Sequence, residues 1–330
     1  SEDPMSPTGQ LRLFNQGQMI VIVTNNSAGN GNPTLTLILQ RSANGVVPVD
    51  DLAKILLVLT NASPANLSTN LPFLTLTNSF YDQRELKTNI ITDIDVGRFA
   101  AWSANNNIVQ GKLFSGSGIY PTILYAAARR TSTATQPGQL SVIRLVNGVQ
   151  LPFNGGLGFS FVTPNPLYVD GNYNTRIAGS AGSSAATTNT AYTVPAALLS
   201  DSLTILASTW IDAASKTKSN KYFGGSVAFA AADTTINAAI ITGTVPSTGT
   251  SSSTFSGGVH NLPRLLQDWT GKNLYLNTSI IRLWDSNQAT HQFADPDVYY
   301  NPPARYFNFD VNFLNPAKIP PGIPLLQVLP

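Results

Sequence analysis

The sequence predicts an all-β protein, built mainly as a right-handed parallel β-helix (a β-solenoid) with short helical insertions in the N-terminal third. Charged residues make up only 11% of the 330 residues, against about 25% in ordinary soluble domains. Asn, Thr, Ser, Gly and Gln take their place, and these residues favour strands and turns over helices. From residue 119 onward, short apolar stretches alternate with turn residues. Several of them are apolar at successive positions, which is typical of strands buried on both faces.

The N-terminal region, residues 1–118, has a more mixed pattern. Residues 50–59 fit either a short helix or a buried strand, and we favour the helix because it has Asp at its start. Asp95 predicts the N-cap of a short helix over residues 96–103. Two β-branched or alternating runs predict strands, at residues 18–24 and 34–40.

The remainder, residues 119–330, is predicted to form the solenoid body, in one continuous domain with the first region or as a second unit. Its loops are unequal, so no repeat of fixed period appears. The low-complexity stretches 176–193 and 244–258 are predicted as insertions at corners, and the aromatic stretch 293–313 as a cap or, alternatively, a sugar-binding surface. The predicted strands are residues 122–126, 141–146, 158–163, 166–169, 196–200, 203–206, 235–242 and 274–284.

Composition also bears on the partners of the chain. The chain has no cysteine, which excludes disulfides, thiol nucleophiles and Cys-ligated zinc. Lys and Arg are scattered and the net charge is +2, so we expect no nucleic-acid partner. No apolar run reaches the ~18 residues of a membrane span. Low charge weakens repulsion between copies and favours self-association. The apolar C-terminal residues 320–330 predict a boundary within a longer protein.

Several segments together resemble a family of uncharacterised bacterial surface proteins of the Verrucomicrobia and Planctomycetes type, which carry a pilin-like or PilX-like N-terminal anchor. The resemblance covers most of the chain and implies export, a cell-surface location and a β-solenoid body, but no catalytic residue. The segments are residues 11–16 (LRLFNQ), 80–85 (FYDQRE), 94–97 (IDVG), 164–175 (PNPLYVDGNYNT), 195–206, 235–240 and 261–269.

The segment with the most distinctive residues, 164–175, also has a physical interpretation. Asp170 and Gly171 form a turn signal, since Gly adopts positive φ without strain. Asn172 and Asn174 are predicted to stack or to cap backbone groups at a corner.

The main alternative to a structural role is an enzyme that uses carboxylates. A carbohydrate-cleaving enzyme needs two of them, and Asp170, Asp201 and Asp212 are the candidates, with Asp93 and Asp95 as a second pair. Each of the three has a structural explanation as well. The same alternative predicts a groove lined by aromatic residues, and the candidates are Trp210, Trp269 and Trp284.

Metal binding is a weaker hypothesis. Asp295 with Asp297, and Asp93 with Asp95, are candidate calcium ligands, although neither pair matches an EF-hand or a calcium-binding repeat. The histidines His260 and His291 lie outside any zinc motif. We therefore expect no cofactor, with calcium as the open possibility.

These observations predict an extracellular structural or assembly protein. It would be a subunit of a surface filament, a pilus-like fibre or a surface layer, held together by self-association. The alternative is a carbohydrate-binding or carbohydrate-cleaving β-helix protein with a glycan partner.

Overall fold

The structure is a computed structural model, and the statements below concern the residues it describes. These are residues 6–25, 32–40, 54–113, 119–130, 138–153, 157–180, 182, 185–217, 230–251, 254–258, 262–293 and 299–324.

The first eleven elements precede residue 114. The helices are α1 (Pro7–Gln10), α2 (Leu13–Gln16), α3 (Pro64–Asn70), α4 (Val96–Asn105) and α5 (Asn107–Leu113). The strands are β1 (Met19–Thr24), β2 (Thr34–Gln40), β3 (Lys54–Leu59), β4 (Leu74–Thr75), β5 (Ser79–Asp82) and β6 (Lys87–Asp95).

The later elements are mostly strands. One helix is α6 (Asp212–Thr217), and two short 3-10 helices follow the last strand at Val311–Leu314 and Pro316–Lys318. The strands are β7 (Ile123–Arg129), β8 (Gln139–Val146), β9 (Phe159–Val162), β10 (Pro166–Asp170), β11 (Ala196–Ser200), β12 (Ser202–Leu206), β13 (Thr234–Asn237), β14 (Ala239–Thr244), β15 (Arg264–Leu265), β16 (Asn273–Thr278), β17 (Ile280–Asp285) and β18 (Ala304–Phe309).

The described strands form three sheets. The eight-stranded sheet has the order β17-β14-β11-β9-β7-β1-β2-β3. The seven-stranded sheet has the order β15-β12-β10-β8-β6-β4, with β5 paired to β6, and the three-stranded sheet has the order β13-β16-β18. Strands β7 to β18 make only parallel pairs, whereas β2, β3, β4 and β5 pair antiparallel with their neighbours. Strand β1 pairs with β7, and β6 with β8, so strands from both sides of residue 118 share sheets.

The prediction of an all-β chain built as a right-handed parallel β-helix is therefore wrong. The chain is mixed α/β, with 17% helix and 40% strand, and its sheets are both parallel and antiparallel. Local signals start the helices despite the strand-prone composition. Ser63 Oγ accepts a hydrogen bond from the backbone N–H of Asn66, with Pro64 at the first helical position.

Two local predictions had opposite outcomes. Asp95 caps α4 as expected, because its Oδ1 accepts a 2.9 Å hydrogen bond from the Arg98 N–H. The helix favoured for residues 50–59 is wrong in its described part, since β3 is a strand. It pairs with the Thr/Leu strand β2 along its whole length, and this sheet pairing overrides the weak helical signal.

Two predicted strands are each divided by a corner. Residues 235–242 separate at Ala238 into β13 and β14, and residues 274–284 separate at Ser279 into β16 and β17. In each case the two halves belong to different sheets. A continuous apolar run does not show such a corner, because apolar residues continue in the sequence on both sides of it.

Asparagines support the corners from inside. Asn174 has a left-handed backbone, with φ of 57°, and its Nδ2 donates to the carbonyl oxygens of Val194 and Asn237, at 2.7 Å each. Asn237 and Asn277 extend the contact, because Asn277 Nδ2 donates to Asn237 Oδ1 at 2.6 Å. Asn172 Oδ1 accepts from the Thr235 N–H at 2.8 Å, so the predicted capping role of Asn172 and Asn174 is confirmed.

Candidate functional site

The core consists of rows of side chains that run from strand to strand in register. In the eight-stranded sheet the first six members of one row are at most 1% exposed, and the last, Ile280, is partly buried. This row consists of Leu39, Met19, Leu124, Phe161, Leu198, Ile240 and Ile280. Each strand therefore covers the inner side chain of the strand before it.

The row of the three-stranded sheet ends differently. Ile236 and Leu276 are 0% exposed, but Phe307, which follows them in register on β18, is 42% exposed. Phe309 lies two residues further on the same face and is 53% exposed. The aromatic segment predicted as a cap thus forms a strand that covers β16 and leaves its own inward-facing rings in contact with solvent.

Strand β17 leaves a similar edge in the eight-stranded sheet. It is the terminal strand there, and its Ile281 and Leu283 are 39% and 63% exposed. Together with Tyr306 and the two phenylalanines of β18, these residues form what we call the open end. Its members are Ile281, Leu283, Tyr306, Phe307 and Phe309. Exposed apolar side chains on terminal strands of this kind are candidates for an interaction surface.

The other side of the molecule is covered by helices. Phe99 of α4 is 0% exposed and lies against Phe73 and Phe159, with ring centroids 5.3 and 5.8 Å away. Leu67 of α3 and Val109 of α5 are also buried in this core. The two ends of the core therefore differ, and only the open end exposes inward-facing aromatic rings among the described residues.

The terminal strands of the eight-stranded sheet run in the same direction. Strand β17 is connected to β1 through parallel pairs only, and two antiparallel pairs then lead from β1 to β3. A second copy placed by translation along the sheet would therefore bring its β3 beside β17 as a parallel neighbour.

The candidate carboxylates come together only in part. Arg144 of β8 donates to Asp93 Oδ1 through Nε at 2.6 Å and to Asp212 Oδ1 through an η nitrogen at 2.7 Å. Asp93 also accepts from Asn78 Nδ2 at 2.6 Å, and Trp210 Nε1 donates to Asp212 at 2.9 Å. Both carboxylates are thus held by several donors at once.

Asp170 lies beside this cluster, two residues after Tyr168, the register partner of Arg144. Burial raises the pKa of Asp170 to about 6; the attraction of Arg144 opposes the shift, and the charges of Asp212 and Asp93 add to it. For Arg144, burial acts to lower the pKa, but hydrogen bonds to Asp93 and Asp212 outweigh it and the pKa is raised. The result is a buried cation held by two carboxylates, beside a third carboxyl, Asp170, whose pKa is about 6.

Asp201, the third candidate, lies elsewhere. It occupies the corner between β11 and β12, and its carboxylate accepts hydrogen bonds from the backbone N–H groups of Asn287, Gln288 and Ala289. This anchors the segment that follows β17.

A second buried cluster could not be expected from the sequence, because its members lie far apart along the chain. Arg264 donates to Glu85 Oε1 at 2.7 Å, and Glu85 Oε2 accepts from the His291 N–H at 3.1 Å. Tyr168 Oη donates to Asp82, whose other oxygen accepts from the Arg84 and Glu85 N–H groups. Burial and the nearby Arg264 lower the pKa of Arg84 to about 9, against the attraction of Glu85 and Asp82. These buried charges fasten the segment after β5 to the seven-stranded sheet.

The aromatic groove proposed for a glycan does not form from the three tryptophans. Trp269 and Trp210 are 0% and 8% exposed, and both belong to the core. Trp284 is half-buried against Gly243.

The calcium candidates divide between described and undescribed residues. Asp93 holds Arg144, and Asp95 caps α4. Asp295, Asp297 and His260 lie outside the described residues. Within the described ranges no three His, Asp or Glu side chains are arranged to hold a metal ion.

A cavity of about 640 Å³ lies beside the segment that follows β18. It is open to solvent and is lined by the segment before β11, the two 3-10 helices after β18, and the residues before β9. Its walls include Phe153, Leu157, Asn189, Asp310 and Asn315. Asp170, Asp201 and Asp212 line none of the three described cavities.

The chain matches no protein-family model, and comparisons with curated proteins and with solved structures found no similar protein. Across the described ranges, no helix combines the length and apolarity that a membrane crossing requires.

Proposed function

We propose that the protein is a structural subunit that self-associates through its open end. The observation that carries this proposal is the exposure of Phe307, the last member of a core row whose earlier members are fully buried. The remaining parts of the proposal, namely an extracellular location and a role in a surface filament or layer, are supported by the low charge and the absence of cysteine.

A second copy of the chain is the occupant that best fits the open end. Full burial of a Leu, Ile or Phe side chain contributes roughly 1.5–3 kcal/mol, so covering five half-exposed side chains gives several kcal/mol before the costs of association. Strand β17 also presents a backbone edge that a further strand can pair with.

The direction of the strands favours head-to-tail contacts. Because β17 and β3 run in the same direction, β3 of the next copy continues the sheet as a parallel strand. Such a contact joins two different surfaces, and it produces a filament when the rotation between successive copies does not close a ring. A contact between two open ends would instead stop at a dimer.

The carbohydrate-cleaving alternative has less support. Asp93 and Asp212 are both engaged by Arg144, and Asp201 is engaged by three backbone N–H groups. A structural role accounts for each of these contacts.

The test is sedimentation velocity and negative-stain electron microscopy over a range of concentrations. We expect a series of oligomers that lengthens with concentration in the wild type, and its loss in Leu283→Lys and Phe307→Lys. The matched control is Val149→Lys, since Val149 is 40% exposed and follows β8, away from both the open end and the β3 edge. A strictly monomeric wild type, or assembly that survives both substitutions, would overturn the proposal. A dimer that does not grow further would overturn the head-to-tail arrangement.

A further inference from the structure

The 640 Å³ cavity beside the 3-10 helices has the size of a small-molecule site. None of the five open-end residues lines it, although Phe309 of the open end packs against Phe313 of its wall, with ring centroids 6.2 Å apart. We infer that this cavity is a binding site for a neutral sugar.

One wall of the cavity is polar and held in place by its own hydrogen bonds. Asp310 is 5% exposed and accepts from Thr190 Oγ1 at 3.2 Å and from the Asn312 N–H at 3.0 Å. Asn312 Nδ2 donates to Thr190 Oγ1 at 2.9 Å, and Lys318 Nζ donates to Asn312 Oδ1 at 2.7 Å. These contacts connect the segment before β11 to the 3-10 helices, so this wall is formed before any ligand arrives.

Two exposed amide side chains border that wall. Asn189 Oδ1 accepts from the Ala191 N–H at 2.9 Å, and Asn315 Oδ1 accepts from the Ala317 N–H at 3.0 Å. The oxygen of each side chain is fixed by a local turn, which restricts the orientation of its amide. Side-chain amides donate and accept, and they therefore suit hydroxyl groups, which do both.

The remaining wall is apolar. Phe153, Leu157 and Pro195 line it together with Ile177, Val194 and Phe313. Leu157 is 63% exposed, which is unusual for a leucine and leaves apolar surface available to a ligand. A sugar ring has C–H groups on its faces and hydroxyl groups at its edge, so it matches an apolar wall facing an amide-bearing wall.

The charges of the cavity favour a neutral ligand. Asp310 and Lys318 have opposite signs and are both engaged with Asn312. The described lining residues therefore carry no uncompensated charge that would select an anion or a cation.

The test is saturation-transfer NMR with millimolar oligosaccharides of glucose, galactose, mannose and N-acetylglucosamine, with an acidic oligogalacturonate and an uncharged peptide for comparison. We expect at least one neutral oligosaccharide to bind. Leu157→Arg should weaken that binding tenfold or more, because the larger side chain fills the mouth of the cavity. Ile108→Arg, a substitution of an exposed apolar residue far from the cavity, should leave it unchanged.

Three results would overturn the inference. They are the absence of binding by every neutral sugar, binding that Leu157→Arg leaves intact, and a clear preference of the site for the acidic sugar or the peptide. Sedimentation velocity on the same Leu157→Arg sample separates this test from that of self-association, since the substitution lies outside the open end. Thermal unfolding of both variants confirms that the fold is retained.

Discussion

Arg144 binds Asp93 directly across the β6–β8 pair, through hydrogen bonds of 2.6 and 3.2 Å to the two carboxylate oxygens. Both side chains are 6% exposed, so this is a buried ion pair. The same guanidinium reaches Asp212 at the start of α6 and thereby ties the helix to the sheet.

Removal of the cation should be strongly destabilising. In Arg144→Met, Asp93 and Asp212 remain without their main partner, and we expect a loss of about 3–5 kcal/mol in the free energy of unfolding. The control is Arg282→Met, which breaks the exposed pair with Asp285 and should cost less than about 1 kcal/mol. Urea denaturation measures the free energy of unfolding of both variants. Equal losses in the two would contradict the stabilising role of the buried Arg144 ion pairs.

The titration of Asp170 predicts a pH dependence with a definite sign. Its pKa is about 6 in the folded protein and 3.8 as the ordinary value, so the folded state holds the proton more tightly. The contribution to stability is full below pH 4 and is lost as the pH rises to about 6, by at most roughly 3 kcal/mol. Asp170→Asn does not titrate, so its stability relative to the wild type should increase over this range.

Denaturation of wild type and Asp170→Asn at intervals from pH 4 to pH 8 checks this prediction. Asp285→Asn serves as an exposed control, since the Asp285 side chain is 56% exposed. A stability difference between wild type and Asp170→Asn that stays constant with pH would show that Asp170 titrates normally.

Gly243 marks a close approach between strands. A Cβ there would lie 2.5 Å from the carbonyl oxygen of Asp201 and 2.6 Å from Trp284 Cδ1. Because the first neighbour is backbone, Gly243→Ala should cost about 1–3 kcal/mol. Gly111→Ala in α5 meets no atom within 4 Å and should stabilise the protein by about 0.5–1 kcal/mol. Thermal unfolding should therefore move in opposite directions for the two variants.

Asn174 combines two effects that can be separated. Asn174→Gly keeps the left-handed backbone but removes the hydrogen bonds to Val194 and Asn237, at an expected cost of about 1–3 kcal/mol. Asn174→Ala should cost about 1–2 kcal/mol more, because a Cβ disfavours positive φ. Chemical denaturation of both variants gives the difference between their free energies of unfolding. Equal stability of the two would contradict the expected cost of a Cβ at positive φ.

Much of the local structure could be predicted from sequence. Two predicted strands have the bounds expected from sequence: β11 at residues 196–200 and β2 at residues 34–40. The order of apolar and polar side chains along a strand already indicates which of its faces are buried. The N-cap of α4 could also be predicted from local sequence, since Asp95 accepts its capping hydrogen bond from Arg98, only three residues further along the chain.

The all-β prediction failed because amino-acid composition reports only the average secondary-structure preference of the chain. It does not show where individual residues cap a helix. Ser63 and Asp95 begin helices whatever the rest of the chain favours. The corners at Ala238 and Ser279 were missed for another reason, since apolar residues continue in the sequence on both sides of each corner.

The sequence alone determined the strand-rich character, the low charge and the asparagines that support the corners. Only the tertiary structure decided which charges meet. Glu85 and Arg264 are 179 residues apart in sequence, and Asp170 lies beside Asp212 while Asp201 does not. The exposure of Phe307 also depends on strand order, because a side chain in a core row stays covered only when another strand follows it. Such contacts are set by register between distant strands, and no short stretch of sequence specifies that register by itself.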